Sequence, residues 1–323
     1  MRARLGYAGG AAVLVLAAAP YFLAPYATTT LTRMLVFALL AASLDLLVGF
    51  AGLPALGHAA YVGVGAYAAA WFAKNVGSAG PVPLVIALGA GAVAAAATGW
   101  VAVRTHGVFF LMLTLAIGEI VAQAAETWEP VTGGSNGLYG VPATRIGDTP
   151  LAVAGVYWYV LAAFVVGFLV LWLVSRSPFG AALRGIRDNE PRMRALGYAT
   201  RRYKYLAFVL SGAIAGLAGG LLAAQQRLVT PSDLGFTTAA LALLAVIIGG
   251  SGSLWGPCLG AAVVIVVRDV VGPDIDGHGP LLLGLVFILV VYLLPRGAAG
   301  LQWPTRNRPT APPARALEEA RRS

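Results

Sequence analysis

Asp45, His58 and Glu119 are ionisable residues set within long apolar stretches. A charge at the centre of a bilayer costs at least a few kcal/mol, so groups kept at that depth tie helices together or line a path for a polar solute. Asp45 lies about two thirds of the way along its apolar run. Glu119 has Gln123 one turn later as a hydrogen-bond neighbour. His58 follows a glycine break, where capping or packing suits it. Other chemistry is thin. A Walker phosphate-binding sequence needs Gly-Lys, and the two lysines, Lys74 and Lys204, follow Ala73 and Tyr203, so this chain is not expected to hydrolyse ATP itself. Gly133-Gly-Ser-Asn-Gly137 matches the G-x-S-x-G nucleophile pattern but lacks a preceding buried strand. Asp274, Asp276 and His278 suit a solvated acidic loop better than a metal site.

The elements that must position these residues follow from composition. Of 323 residues, 59% are hydrophobic and 11% charged, against roughly 45 to 50% and 25% in soluble domains. Mean hydropathy is +0.80. These values indicate an all-α polytopic integral membrane protein, because helices are the spans such a pattern supports. The lone Cys258 excludes an internal disulfide. The net charge of +9 reflects membrane topology rather than nucleic-acid binding.

About ten transmembrane helices are predicted, near residues 1–25, 31–53, 57–73, 82–103, 107–127, 153–174, 205–226, 236–250, 254–271 and 280–295. The first resembles a signal peptide, with Arg2, Arg4 and Ala17-Ala18-Ala19, but hydrophobicity runs on to Pro25, so an uncleaved helix is expected. With both termini cytoplasmic, Arg2, Arg4, Arg104, Arg296 and the C-terminal arginines fall inside, as the positive-inside rule requires. Residues 1–300 form one transmembrane domain, and the Pro/Arg/Ala-rich stretch 301–323 reads as a disordered cytoplasmic tail.

Two glycine-rich joints interrupt the spans, Gly49-Phe-Ala-Gly52 through Gly57 and Gly249-Gly250-Ser-Gly252 through Gly256. Interrupted or re-entrant backbone at membrane depth must line a cavity or be buried in protein. Close packing through small residues is the alternative. Asp45, Gly49, Gly52, Gly57, His58, Glu119, Gly249, Gly250 and Gly252 are therefore the candidate path residues.

A polar island at about 175–205 carries eight of the 22 Lys and Arg. Ser177-Pro178 starts a helix well, and Phe179, Ala182, Leu183 and Ile186 share one face, leaving Arg184 and Arg187 pointing elsewhere. Pro191 ends that helix near Asp188; Asp188 or Asn189 then caps a second from Pro191 to Leu196, which Gly197 closes. The result is a compact cytoplasmic knob, fit for docking.

The chain resembles the M-type permease subunits of bacterial ABC importers for branched-chain amino acids. The likeness covers about residues 31–295 and rests on six motifs in order: Leu44-Asp-Leu-Leu-Val-Gly-Phe-Ala-Gly52; Leu56-Gly-His-Ala-Ala60 through Tyr67; Leu113-Thr-Leu-Ala-Ile-Gly-Glu-Ile-Val121; Thr132-Gly-Gly-Ser-Asn-Gly-Leu138; Ser177-Pro-Phe-Gly180 with Asp188-Asn-Glu-Pro191, Ala195-Leu-Gly197 and Tyr203-Lys204; and Gly249 to Pro257 with Gly260-Ala261. The resemblance implies a second paired permease, two cytoplasmic ATPase subunits that use ATP and Mg, and a periplasmic or lipid-anchored substrate-binding protein, with no cofactor on this chain. It implies that the island is the coupling loop, with Phe179, Arg184, Arg187, Asp188, Asn189, Glu190, Pro191, Ala195, Leu196 and Gly197 serving the ATPase. Thr132, Gly133, Gly134, Ser135 and Asn136 would meet the binding protein, in a bacterial plasma membrane.

The family commonly carries Asn at the position of Asp45, and polar Gln and Ser where this chain reads Leu53-Pro-Ala55. Those departures bear on substrate identity, and permeases for urea or short-chain amides are similar. An ion-coupled secondary transporter using Asp45 and Glu119 is a rival reading. A polytopic membrane enzyme is a second, and would need catalytic side chains gathered at one depth.

Overall fold

The computed structural model describes residues 14–146 and 149–272, together with helical positions 281–282, 284–285, 288–289 and 292. In chain order the helices are α1 (14–22), α2 (Pro25–Asp45), α3 (His58–Asn75), α4 (Val82–Ala102), α5 (Val108–Thr127), α6 (Glu129–Thr132), α7 (Val153–Arg176), α8 (Pro178–Asp188), α9 (Glu190–Ala195), α10 (Thr200–Gln226), α11 (Phe236–Gly249) and α12 (Trp255–Ile265). π-helical turns extend α2 through Leu46–Ala51 and α12 through Val266–Val271. Two small antiparallel ladders complete the described structure. β1 (Leu138–Tyr139) pairs with β4 (Leu228–Val229), and β2 (Arg145–Ile146) pairs with β3 (Thr149–Pro150).

Among the described residues, six helical segments are long and apolar enough to cross a membrane: Pro25–Ala51, Val82–Ala102, Val108–Thr127, Val153–Arg176, Thr200–Gln226 and Pro231–Gly249. The shorter α3 and α12 occupy two more of the ten expected segments. The first and tenth segments lie partly outside the described residues, and the expected tail 301–323 lies wholly outside them.

Backbone polar groups cannot be left unpaired in hydrocarbon, so each span closes its own hydrogen bonds as a helix, and association then depends on close approach. The interior is α10 packed against α3 and α4 through small residues. A Cβ built on Gly216 would lie 2.9 Å from the Cα of Gly91, and one on Gly91 would lie 2.8 Å from the Cα of Gly216. Gly219 and Gly65 meet backbone in the same way along α3 and α10. Tyr61 and Thr98 join α3 to α4 by a hydroxyl pair at 2.7 Å, and Tyr205 donates to the Ala96 carbonyl at 3.1 Å. Gly216→Val is expected to force α10 off α4 and lower the thermal midpoint in detergent, with an overpacking cost of about 1–3 kcal/mol; an unchanged midpoint would count against this contact.

α2 is the second buried element, enclosed from Leu35 to Leu47 by α7, α10, α11 and α12. Val93 and Trp100 of α4, Phe109, Met112 and Ile120 of α5, and Val166, Leu169 and Leu173 of α7 are exposed, as hydrocarbon-facing surfaces would be. α10 has 27 residues, about 40 Å at 1.5 Å per residue. Its first turn receives the island and its last leads into β4. The island and the β1–β4 ladder therefore lie at opposite ends of the helical body.

Candidate functional site

The island folds as two capped helices. The Ser177 side chain accepts from the Gly180 amide at 3.4 Å, with Pro178 in the first turn of α8. Asn189, one of the two expected caps, accepts from the Arg192 amide at 3.0 Å and opens α9. Gly197 stands at φ 87°, in the left-handed region that closes the second helix. Ala182, Leu183 and Ile186 are buried, and Phe179 stacks on Tyr203 of α10 with ring centroids 5.5 Å apart. Burying that stripe leaves the tip outward, with Pro191, Arg192, Ala195 and Leu196 exposed.

Glu190 ties the tip to the body. It accepts from Lys204 at 2.5 Å, from Arg194 at 2.6 Å and from Thr200 at 3.1 Å. Lys204 is only 6% exposed and has this carboxylate as its ion-pair partner. Burial by itself would raise the Glu190 pKa, but the hydrogen bonds from Lys204 and Arg194 outweigh it and push the carboxyl from 4.5 down to about 2. A depressed carboxylate contributes its full stability above its ordinary value and loses it on protonation. Amide exchange across 190–204 should therefore be pH-indifferent, after correction for intrinsic rates, above pH 4.5 and should accelerate as pH falls toward about 2. Unchanged protection down to the lower value would contradict this assignment.

The two glycine joints, far apart in sequence, meet in space, and Asp45 is the staple. Its Oδ1 accepts from the Gly252 amide at 2.7 Å and its Oδ2 from the Leu254 amide at 3.2 Å. Gly49 must be glycine, because a Cβ there would strike the Asp45 carboxylate and the Gly252 backbone. Gly249 packs on Gly256 in the same manner. Gly52, Gly250 and Gly252 turn the chain at positive φ, and Leu254 shares that region at φ 52°.

Arg184 and Arg187 lie beside the apolar stripe, and their heads reach the helical body from its flank. Arg187 Nη1 donates to the Gly49 carbonyl, its stem lies against Gly52, and its Nε and Nη2 donate to Asp188 at 3.1 and 3.0 Å. Arg184 donates to the Ser175 carbonyl at 2.8 Å and lies over the Phe50 ring at 5.6 Å. A long side chain on the flank of an apolar stripe lays its stem along the buried surface and delivers its head beyond it. An open cleft of about 500 Å³ runs between Gly52, His106, Arg187 and Glu190.

The other path candidates separate into different surroundings. His58 is buried at the start of α3, its Nε2 2.9 Å from Ser43 Oγ and 3.4 Å from Ser211 Oγ, and Ser211 donates to the Ser43 carbonyl. Gly57 sits against Thr114 and Gly118 of α5, and the Leu56 amide donates to Thr114 Oγ1 at 3.2 Å. Glu119 and Gln123 are exposed on the other face of α5. Asp45, His58 and Glu119 thus do not form one cluster. Ser43, Ser211 and Thr114 were absent from the sequence candidates, although small hydroxyls inside apolar helices were the signal that could have found them.

At the far end, Thr132 donates to the Ala125 carbonyl at 2.6 Å and accepts from the Gly134 amide at 3.3 Å. Gly133 has φ 78°, and Gly134–Asn136 form a short 3-10 turn. The segment is a structured corner with Ser135 and Asn136 exposed, and the G-x-S-x-G match falls on this turn. Asp274, Asp276 and His278 lie outside the described residues, among which no group of three or more His, Cys, Asp or Glu could hold a metal.

Comparison with known proteins adds the following. Residues 26–294 match the family described as the permease component of the branched-chain amino acid transport system. The chain is similar to the high-affinity branched-chain amino acid transport system permease protein LivM of Escherichia coli, at 31% identity over 88% of this chain and 73% of that protein. It is 30% identical to the protein of the same name from Salmonella typhimurium, over the same shares of each chain. The autoinducer 2 import system permease protein LsrC of Klebsiella pneumoniae is 40% identical over 36% of this chain and 33% of its own length. No solved structure matches.

Proposed function

The chain belongs to the permease family of branched-chain amino acid transport systems, and from that premise we propose that it is one membrane-spanning subunit of an ATP-driven importer for branched-chain or related amino acids. Ten spans with both termini cytoplasmic, in a bacterial plasma membrane, agree with the placement of the basic island and with the hydropathy of the chain. A second permease completes the path. Two ATPase subunits consume ATP and Mg, one of them seated on the α8–α9 knob. A periplasmic or lipid-anchored binding protein delivers substrate to the opposite end, around Thr132, Gly133, Gly134, Ser135 and Asn136. Transport proceeds by alternating access, with the spans reoriented as the ATPases close.

The observation that carries this reading is the knob. An ordinary topology loop needs positive charge, but it needs neither two side-chain caps nor a buried stripe with an exposed tip. The rival ion-coupled transporter finds less support, since both Asp45 oxygens are engaged by backbone amides and Glu119 stands on an outer face. Reconstituted uptake that requires the ATPase subunits and the binding protein is the expected result. Uptake by this chain alone on an ion gradient would overturn it, and uptake of urea or an amide in place of leucine would redirect the substrate.

A further inference from the structure

We propose that Arg187 is the positioning residue through which movement of the knob reaches both helix breaks at once. The inference rests on the coupling role proposed above. It adds a specific mechanical joint inside the membrane subunit.

The geometry is convergent. The Gly49 carbonyl accepts from Arg187 Nη1, and a Cβ built on Gly252 would lie 3.5 Å from the same nitrogen. The stem of Arg187 lies against Gly52, where a built Cβ would approach its Cγ to 2.8 Å. Gly49 and Gly252 are themselves in contact, and the Gly252 amide is pinned by the Asp45 carboxylate. One side chain of α8 therefore bonds to the end of α2, lies against the turn that follows it and stands beside the turn between α11 and α12. The other end of the guanidinium fork is held by Asp188, which fixes its orientation.

This arrangement leaves little slack. At these breaks the backbones of Gly49 and Gly252 meet directly, so the breaks shift together or separate. Arg184 also reaches the first break, over the Phe50 ring, but its hydrogen bond goes to Ser175 and fastens α8 to the end of α7. Arg187 is the link that continues into the breaks. A lysine reaches one acceptor as a point charge but cannot serve Gly49 and Asp188 together as the planar fork does.

The test uses the full transporter with its partner permease, ATPases and binding protein in proteoliposomes. In a Cys258→Ala background, Ser253→Cys places a thiol in the second break, and its maleimide labelling rate is read with and without ATP. Uptake and ATP hydrolysis are measured on the same preparations. The labelling rate in the Arg187 parent is expected to depend on ATP. In Arg187→Ala and Arg187→Gln that dependence should vanish and uptake per ATP should fall about tenfold, within the usual range of coupling between sites, while hydrolysis persists. Arg187→Lys should be intermediate. Should the alanine variant not assemble, the glutamine and lysine variants decide the matter. A full ATP response of the thiol in Arg187→Gln, unchanged uptake per ATP, or a parallel loss of uptake and hydrolysis in every variant would overturn the proposal. A parent that shows no ATP-dependent uptake would instead bring down the coupling reading beneath it.

Discussion

Glu190→Ala should abolish coupled transport while leaving the chain inserted and its long helices intact. The substitution removes the shared acceptor of Lys204, Arg194 and Thr200, and Lys204, at 6% exposure, has little water to turn to. Removing one partner of a buried ion pair costs about 3–5 kcal/mol. Glu190 is 18% exposed, so about 3 kcal/mol is the better expectation here. That loss falls on α9 and the first turn of α10, not on the core around α2. Amide protection across 190–204 should drop about a hundredfold, with a new protease-sensitive site at the tip. Protection of α3, α4 and the middle of α10 should be unchanged. Glu190→Gln keeps one acceptor oxygen and should fall between the two. Intact protection and normal uptake in Glu190→Ala would remove the knob from any account of coupling.

The knob was legible in the sequence because everything that shapes it is local. Ser177, Pro178, Asn189, Pro191 and Gly197 act within one turn of themselves, and the Phe179, Ala182, Leu183 and Ile186 stripe is a pattern of one helix. The glycine joints were equally visible as interruptions of apolar runs. What the breaks touch was not visible. Asp45 and Gly252 are 207 residues apart, and nothing in the composition of either segment names the other. The partners of Arg184 and Arg187 were not visible either, because helical periodicity places Cα atoms, whereas a guanidinium several bonds farther out follows the surface it can reach.

Hydropathy found the positions of the spans more readily than their extents. α11 reaches a spanning length only with the 3-10 turn before it, as Pro231–Gly249, and α12 has 11 residues before its π-helical turn of 6, short of the roughly 20 that cross a bilayer. The chain between them turns through Gly250 and Gly252 at positive φ within apolar sequence. A window average passes over such a turn, so it counts segments without showing how deep each reaches. The depth is set instead by contacts such as Gly49 on Gly252 and Gly249 on Gly256, which a one-dimensional reading cannot supply.

The second large effect is expected at Asp45. Asp45→Ala leaves the Gly252 and Leu254 amides without their acceptor, one of them in buried surroundings. Each orphaned amide costs about 1–3 kcal/mol, so the pair should lower stability by about 2–6 kcal/mol. Leu254 amplifies the effect, because it holds a positive φ that a branched side chain adopts only under constraint, and the lost bond is part of that constraint. Asp45→Asn keeps a single acceptor oxygen and turns its amide donors toward one of the two backbone N–H groups. It should lose about half as much. Thermal unfolding in detergent provides the ranking, and a thiol pair joining α2 to α12 reports whether the two breaks still touch. The expected order is native, then Asn, then Ala, in both stability and cross-linking. Equal behaviour of native and Asn would mean that one oxygen suffices, and that the second bond, to Leu254, does not hold the break closed. An alanine variant as stable as the native chain would place the staple elsewhere, and Asp45 would return to the translocation path as a free carboxylate.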